Sequence, residues 1–192
     1  MRRINVIGTT GSGKTKVARD LATRLGVPHI ELDALYWGPN WSAPSPEEFR
    51  ARVTRALTGD AWVVDGNYSK VRDIVWTRAD TLVWLDHSLP VILHQLLVRT
   101  VRRAITREPL WGGNRERLSA VFFSRDSILL WALNTYRRHR HDYVILPQQP
   151  EYQHLNVVRL RSPEAARLWL DDWPRSRETE AHGDPPDYPA SH

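Results

Sequence analysis

The sequence predicts an α/β protein of three layers, in which about five parallel strands form a sheet with helices on both faces. Short apolar segments alternate with segments of helical spacing along most of the 192 residues. A glycine-rich loop also stands between the first apolar segment and the first helical one, at residues 8–15. The length of the chain suits one such domain with a sizeable core.

Five short apolar segments have the length and composition of strands. They lie at residues 4–7, 28–32, 61–64, 81–85 and 155–160. An acidic residue stands at the end of three of them: Asp33, Asp65 and Asp86. Because ligands bind beyond the carboxyl ends of strands in such sheets, we expect these residues and the glycine-rich loop to meet at one edge. Asp86, two residues before Ser88, is also typical of the start of a helix.

The helices are predicted from apolar spacing and from their capping residues. They cover residues 16–25, 45–57, a long apolar segment that begins at about 88, a second segment from about 116, and 162–173. Ser45-Pro46-Glu47-Glu48 and Ser162-Pro163-Glu164 are start signals, with a proline in the first turn of each helix. Residues 143–146 fit a helix or a strand equally well.

The glycine-rich loop carries the most specific chemistry. Residues 8–15 fit the pattern G-x-x-x-x-G-K-[ST] at every position. Glycines let the backbone turn its N–H groups toward phosphate oxygens, a lysine reaches the β- and γ-phosphates, and a hydroxyl can bind Mg²⁺. The pattern therefore predicts ATP and Mg²⁺ as cofactors. The predicted binding residues are Gly8, Gly11, Ser12, Gly13, Lys14 and Thr15, with Thr15 on the metal.

A basic segment suggests a lid over this loop. Six arginines between residues 99 and 117 are opposed only by Glu108 and Glu116, and two glycines at 112 and 113 can act as a hinge. Guanidinium groups on a closing segment would stabilise the charge that spreads over a transferring phosphoryl group. We predict a short lid at about residues 106–117, with Arg107 and Arg115 as catalytic residues and Arg103 lining the pocket. A solvated basic helix face is the alternative.

The acceptor side is predicted from residues at the other strand ends. Asp33 would orient a substrate hydroxyl or accept its proton, which makes it both a catalytic and a substrate-binding candidate. Asp65 would bind Mg²⁺ through water, although an Asp-Gly turn is its structural alternative. Tyr36, Trp37 and Asn67 are candidates for the substrate pocket, and ordinary packing explains the two aromatic residues as well.

Three segments carry a resemblance to a known group. Leu32-Asp33-Ala34-Leu35-Tyr36-Trp37, Trp62-Val63-Val64-Asp65-Gly66-Asn67-Tyr68 and Arg161-Ser162-Pro163-Glu164 resemble proteins described as adenylate kinase-like or as DNA topology modulation proteins. Together with the loop they look like the nucleoside monophosphate and shikimate kinase group of P-loop proteins, over residues 3–173. The resemblance implies a P-loop NTPase fold, the roles given above for Asp33 and Asp65, and a contact between the Arg161 segment and adenine.

The sequence also departs from that group. Asn67-Tyr68-Ser69 stands where adenylate kinases have Phe-Pro-Arg, so a phosphate-binding arginine is missing at that point. This argues against ordinary adenylate kinase activity. Lys70 or Arg72 could substitute for the missing arginine.

The composition of the chain limits the class of protein that it can be. The chain has no cysteine, a net charge of +5 and no apolar run near the roughly 18 residues of a membrane span. We expect a cytoplasmic protein of one domain, residues 1–173, with a polar and disordered tail at 174–192, acting as a monomer or homodimer without membrane association. The main hypothesis is an ATP-dependent kinase for a small-molecule acceptor such as a nucleoside, a nucleotide or another hydroxyl metabolite. A nucleotide-binding regulator acting with DNA and a simple ATPase remain the alternatives.

Overall fold

Five parallel strands form the sheet at the centre of the molecule, in the order β2-β3-β1-β4-β5. The structure is a computed structural model that describes residues 1–106, 110–114 and 128–173. The strands are β1 (Arg3–Gly8), β2 (His29–Glu31), β3 (Trp62–Asp65), β4 (Thr81–Leu85) and β5 (Asn156–Leu160). The predicted α/β fold with five parallel strands is confirmed.

Seven α-helices are found in the described part of the chain. They are α1 (Lys14–Leu25), α2 (Leu32–Tyr36), α3 (Pro46–Ala56), α4 (Arg72–Arg78), α5 (Leu89–Thr106), α6 (Ile128–Ile145) and α7 (Pro163–Asp171). Ser45 and Ser162 cap α3 and α7 as predicted, since each side chain accepts a hydrogen bond from the backbone N–H three residues later.

Two apolar cores flank the sheet, one on each face. On one face α1 and α7 bury Leu21 and Trp169 against Val6 and Val83. On the other face α3 and α4 cover residues such as Val64. Because strands β1, β3 and β4 are buried on both faces, they are short runs of apolar residues without alternation. This explains why their positions could be read from the sequence.

β1 lies in the middle of the sheet and determines where the site forms. It pairs with β3 on one side and with β4 on the other, with Val6 opposite Asp65 and Gly8 opposite Leu85. The chain runs from β1 to the edge strand β2 and back to β3, and then crosses β1 to reach β4 on the other side. A crevice is expected beyond the carboxyl ends of the strands at such a crossing. The glycine-rich loop begins in that crevice.

The structure corrects the prediction around the second strand. β2 ends at Glu31 rather than at residue 32, and Asp33 lies in the first turn of the short helix α2. The buried Leu32 begins this helix, and the N–H of Trp37 closes it on the Asp33 carbonyl at 2.9 Å. Asp33 therefore projects from a helical turn, two residues beyond the end of β2.

Other differences are smaller. Residues 143–145 complete α6, which settles the open choice between helix and strand there, and α4 was not predicted. The predicted tail at 174–192 and the helix predicted from about 116 lie outside the described residues, apart from the portion of α6. Within the described ranges, no helix is both long and apolar enough to cross a membrane.

Candidate active site

The glycine-rich loop has a conformation that only glycine permits at its start. Gly8 ends β1 with φ of 151°, and a Cβ atom there would lie 2.7 Å from both the Leu85 carbonyl oxygen and the Ser12 hydroxyl. The Ser12 N–H then closes a turn on the Thr9 carbonyl at 3.0 Å. The loop leads directly into the N-terminus of α1, where free N–H groups and the helix dipole favour an anion.

Lys14 lies inside this loop. Its ammonium group donates to the carbonyl oxygens of Gly8 at 2.9 Å and Thr9 at 3.3 Å. Burial lowers the pKa of Lys14, while the charges of Asp33 and Asp65 act in the opposite direction. A phosphate group entering the loop would bring further negative charge to this partly desolvated cation.

Thr15 and Asp65 supply oxygen atoms suited to a hard cation. The Thr15 hydroxyl donates to Asp65 Oδ2 at 2.7 Å, and Asp65 is buried at the end of β3. Hydroxyl and carboxylate oxygens are the ligands that Mg²⁺ uses, usually with phosphate oxygens and waters completing its shell. No group of three His, Cys, Asp or Glu side chains in the described residues could hold a metal alone. The residues present fit a cation bound jointly with a phosphate ligand.

His29 contacts the same carboxylate from β2. Its Nε2 lies 3.0 Å from Asp65 Oδ1, so both oxygens of Asp65 are engaged by protein groups. No role for His29 was predicted from the sequence. The sequence indicates only that His29 lies two residues before Glu31, on the same side of β2, which pairs with β3.

Asp33 and Tyr68 form the next part of the site. The Tyr68 hydroxyl donates to Asp33 Oδ1 at 2.5 Å. Burial raises the pKa of Asp33, and the hydrogen bond from Tyr68 and the charge of Lys14 limit that rise. A carboxylate with a raised pKa accepts a proton more readily, which suits a general base.

Aromatic side chains surround this pair. The ring of Tyr36 packs 4.8 Å from Tyr68, 4.9 Å from Trp37 and 5.0 Å from Phe49. Trp37 in turn packs 5.5 Å from Trp41. Tyr36 and Trp37 thus lie beside Asp33 as an apolar wall, in the place where the sequence analysis put the substrate.

A small cavity lies next to this wall. Tyr68, Arg72, Trp76 and Tyr143 line it, together with the backbone of Gly66. Arg72 packs against the Trp76 ring at 5.3 Å. The guanidinium group of Arg72 is therefore close to the candidate acceptor site, where the sequence analysis considered it as a substitute for a missing arginine.

Asn67 contacts the first residue of the glycine-rich loop. Its side-chain amide donates to the Gly8 carbonyl oxygen, and its Oδ1 accepts the Gly8 N–H at 3.3 Å. Both ends of the amide are thus used to hold the start of the loop. Binding of substrate by Asn67 stays a prediction, and the contacts found here are with the protein backbone.

The structure describes only some of the arginines that were predicted for the site. Arg107 and Arg115 lie outside the described residues, while Arg103 is half-buried in the last turn of α5. One turn earlier, Arg99 is close enough for its charge to help lower the pKa of Lys14. Arg99 is therefore a further candidate, and its spacing of four residues from Arg103 could have indicated it. Arg161 is exposed directly after β5, and its contact with nucleotide stays a prediction.

Part of the predicted lid is described and touches the acceptor side. Trp111 Nε1 donates to Glu31 Oε2 at 2.9 Å. The side chain of Asn114 accepts the Trp41 N–H at 3.0 Å and donates to the Gly38 carbonyl oxygen at 2.8 Å. Residues 110–114, which we call the docking turn, therefore pack on residues 38–41. In the sequence, only its position after the two glycines distinguishes Asn114.

The sheet order, the loop and the two carboxylates beside Lys14 define a P-loop phosphate-binding protein. No family model matches the chain. Two curated relatives match it. The chain is 32% identical over 126 residues to a shikimate kinase of Symbiobacterium thermophilum, and this match covers 57% of this chain and 70% of that protein. It is 31% identical over 107 residues to a shikimate kinase of Ruegeria pomeroyi, a match that covers 43% of this chain and 55% of that protein.

Solved structures give the same fold. Shikimate kinases from Bacteroides thetaiotaomicron and Aquifex aeolicus match with TM-scores of 0.54 and 0.53 at 14% identity, over 92% and 95% of this chain and 98% and 99% of theirs. A gluconokinase from Sinorhizobium meliloti matches with a TM-score of 0.51 at 20% identity, over 94% of this chain and 98% of its own. The chain belongs to the family of small P-loop kinases that includes shikimate kinase.

Proposed function

We propose that this protein is a kinase that transfers the γ-phosphoryl group of ATP to a hydroxyl group of a small molecule. One observation supports this proposal most directly: the Lys14 ammonium lies within the electrostatic influence of both Asp33 and Asp65. A candidate phosphate-binding lysine is thus close to both a candidate metal carboxylate and a candidate acceptor carboxylate.

The donor half is assigned to the glycine-rich loop. Its N–H groups and Lys14 would hold the β- and γ-phosphates, while Thr15 and Asp65 would hold Mg²⁺, Asp65 through water. The bound metal neutralises charge that develops on the phosphate oxygens. Arg99 and Arg103 project from α5 and would add positive charge on the lid side of the phosphates.

The acceptor half is assigned to Asp33 and Tyr68. Asp33 would take the proton from the acceptor hydroxyl as its oxygen bonds to the γ-phosphorus and the bond to the β–γ bridging oxygen breaks, leaving ADP. Tyr68 would keep Asp33 in one orientation through the 2.5 Å hydrogen bond. Tyr36 and Trp37 would cover the acceptor and exclude water.

The experiment is an acceptor screen that measures ADP release and the mass of the phosphorylated product. Shikimate is the first acceptor, because the two curated relatives are shikimate kinases. Sugar acids, polyols, nucleosides and nucleoside monophosphates follow. We expect one class to turn over in the wild type, with Lys14→Ala and Asp33→Asn each reducing kcat by at least about 100-fold.

Two results would contradict the proposal. If ATP binds and no acceptor is phosphorylated, the protein is a nucleotide-binding regulator, and salt-dependent DNA binding that survives Lys14→Ala would then identify it as one acting with DNA. If ADP forms at the same rate with and without every acceptor, and Asp33→Asn does not alter that rate, the protein is an ATPase.

A further inference from the structure

We propose that His29 is a positioning residue that fixes the carboxylate of Asp65 for metal binding. This inference rests on the proposed function, since it concerns the metal that would accompany ATP. It goes beyond that function because His29 touches neither the glycine-rich loop nor the acceptor carboxylate in the contacts described above.

Protein side chains contact both carboxylate oxygens of Asp65. His29 Nε2 lies 3.0 Å from Oδ1, while the Thr15 hydroxyl lies 2.7 Å from Oδ2. An ionised carboxylate can only accept hydrogen bonds, so the His29 Nε2 atom carries the proton and donates it. With Oδ1 held in this way, rotation of the carboxylate would break a contact, and Oδ2 stays directed toward Thr15.

His29 is itself held in place. Its side chain is 14% exposed, and its Nδ1 atom faces Glu31 Oε1 at 3.9 Å. Glu31 accepts the Trp111 Nε1–H of the docking turn at 2.9 Å through its other oxygen. The imidazole is therefore confined between two carboxylates, one of which belongs to the candidate metal site.

Without His29, the carboxylate of Asp65 would lose the hydrogen-bond donor to Oδ1. The Asp65 side chain is 6% exposed, so water has little access to Oδ1. A buried carboxylate oxygen that loses its donor turns toward another donor. Turning the carboxylate moves Oδ2 away from the Thr15 hydroxyl and so from the candidate metal position. Losing a partner that orients a metal ligand typically weakens metal binding by 10–100-fold.

The experiment measures how much a metal strengthens nucleotide binding, without catalysis. The affinity for β,γ-imido-ATP is determined by calorimetry in excess Mg²⁺ and again in EDTA, and the ratio of the two dissociation constants is the metal-dependent gain. Mn²⁺ bound to the ternary complex is counted separately by electron paramagnetic resonance. The variants are His29→Ala, His29→Gln and His29→Asn, because the Gln amide can reach the position of Nε2 and the shorter Asn amide cannot.

We expect His29→Ala to reduce the metal-dependent gain about tenfold, with the affinity in EDTA unchanged. His29→Gln should keep most of the gain and His29→Asn should lose it. His154→Ala is the matched control, since His154 Nε2 lies 3.1 Å from the Trp76 carbonyl oxygen instead of a carboxylate. This control should behave like the wild type in every measurement.

Other outcomes overturn the inference. A His29→Ala variant with the wild-type gain would show that Asp65 needs no positioning, and an equal loss of affinity with and without metal would show that His29 only supports the loop. If His29→Ala does not fold, equal gains in His29→Gln and His29→Asn overturn the inference instead. A wild type that shows the gain without phosphorylating any acceptor contradicts the kinase proposal and leaves the role of His29 standing.

Discussion

At the scale of single residues, burial acts on Lys14 and Asp33 in opposite directions. It lowers the pKa of the lysine and raises the pKa of the aspartate, and in each case the charge of the other residue limits the change. Each group therefore helps the other to stay ionised in a poorly solvated site. The Tyr68 hydroxyl adds a hydrogen bond that also favours the ionised form of Asp33.

The Tyr68→Phe variant tests this arrangement. Removing the hydroxyl raises the pKa of Asp33, because a hydrogen bond to the ionised form is lost. The acidic limb of the pH profile of kcat/KM should then move to higher pH, and kcat/KM should fall about 10–100-fold, as expected for a hydrogen bond to a charged group. Initial rates measured across pH, with the acceptor that the screen identifies, give both quantities.

Tyr36→Phe provides the control for Tyr68→Phe, since the Tyr36 ring packs on Tyr68 without a hydrogen bond to Asp33 among the contacts described. This variant should keep the wild-type pH profile. Identical pH profiles in all three proteins would contradict a role of Asp33 as the base.

A second residue-scale prediction concerns the pH dependence of stability. Burial lowers the pKa of His87 to about 4, and the neighbouring charge of Asp86 only partly opposes this effect. In the unfolded chain the imidazole takes up a proton below its ordinary pKa of 6.5, while the folded protein does so only near 4. The contribution of neutral His87 is therefore complete above pH 6.5 and is lost as the pH falls toward 4.

Urea unfolding at pH 7 and at pH 4.5 measures this loss. In the wild type His87 should account for up to about 3 kcal/mol of the decrease in the free energy of unfolding. The decrease should be smaller by that amount in His87→Gln, whose side chain does not titrate. The same pH dependence in both proteins would show that His87 does not carry the effect.

At the scale of elements, the docking turn has the most specific geometry. Gly112 has φ of 66°, and a Cβ atom there would lie 2.7–2.8 Å from the backbone of Gly38 and Pro39. Gly113 has φ of 75°, and a Cβ atom there would meet nothing within 4 Å. The two glycines have the same unusual backbone conformation and differ in how closely they approach residues 38–41.

This pair gives a matched test of the docking turn. Alanine at either position costs about 1 kcal/mol of backbone strain, but only Gly112→Ala should push the turn away from residues 38–41. The N–H of Trp41, which Asn114 accepts at 3.0 Å, should then exchange with solvent much faster in Gly112→Ala than in Gly113→Ala. Hydrogen–deuterium exchange of the peptide that contains Trp41 measures the difference. Equal exchange in the two variants would contradict the docking of the turn.

The elements also show what the sequence could predict and what it could not. β1, β3 and β4 were found because strands buried on both faces are continuous apolar runs, and the loop was found because its glycines and Lys14 are fixed by chemistry. The short helix α2 was missed because Leu32 continues the apolar pattern of the strand before it. A periodic pattern cannot show where a three-residue strand gives way to one helical turn.

Some residues of the candidate site could be predicted from the sequence and others could not. The proposed reaction requires the residue types of Lys14, Thr15, Asp33 and Asp65, so these residues could be selected in advance. His29 and Tyr68 contact the carboxylates of Asp65 and Asp33. Such contacts depend on the register of β2 against β3 and on the course of the chain after Asp65. No sequence pattern contains that information.

At the scale of the whole molecule, one buried carboxylate joins three elements. Asp86 follows β4, and its side chain is 1% exposed. It accepts from Arg159 of β5 at 2.6 Å and pairs with Arg140 of α6 at 2.8 Å. The sequence suggested a residue that starts a helix, whereas the structure shows the centre of an ion-pair network that ties α6 to the edge of the sheet.

Asp86→Ala should therefore lower the free energy of unfolding by about 1.5–3 kcal/mol, because the partly buried Arg159 and the exposed Arg140 lose hydrogen bonds to a charged partner. Asp73 serves as the control: it pairs with Arg50 at 2.7 Å, but its side chain is 55% exposed. Asp73→Ala should cost less than about 1 kcal/mol. Urea unfolding at neutral pH measures both variants, and similar losses in the two would contradict the structural role of Asp86.

The contact between Asn67 and Gly8 has a consequence for how the enzyme can move. A side-chain amide has the same donor and acceptor as a peptide group, so Asn67 extends the hydrogen-bond ladder between β1 and β3 by one rung beyond the end of β3. The chain segment that carries Asp65 and Tyr68 is thereby fastened to the first residue of the phosphate loop. The donor and acceptor sites should therefore move together as one rigid unit. Any closure that brings the two substrates together must then come from other elements of the fold.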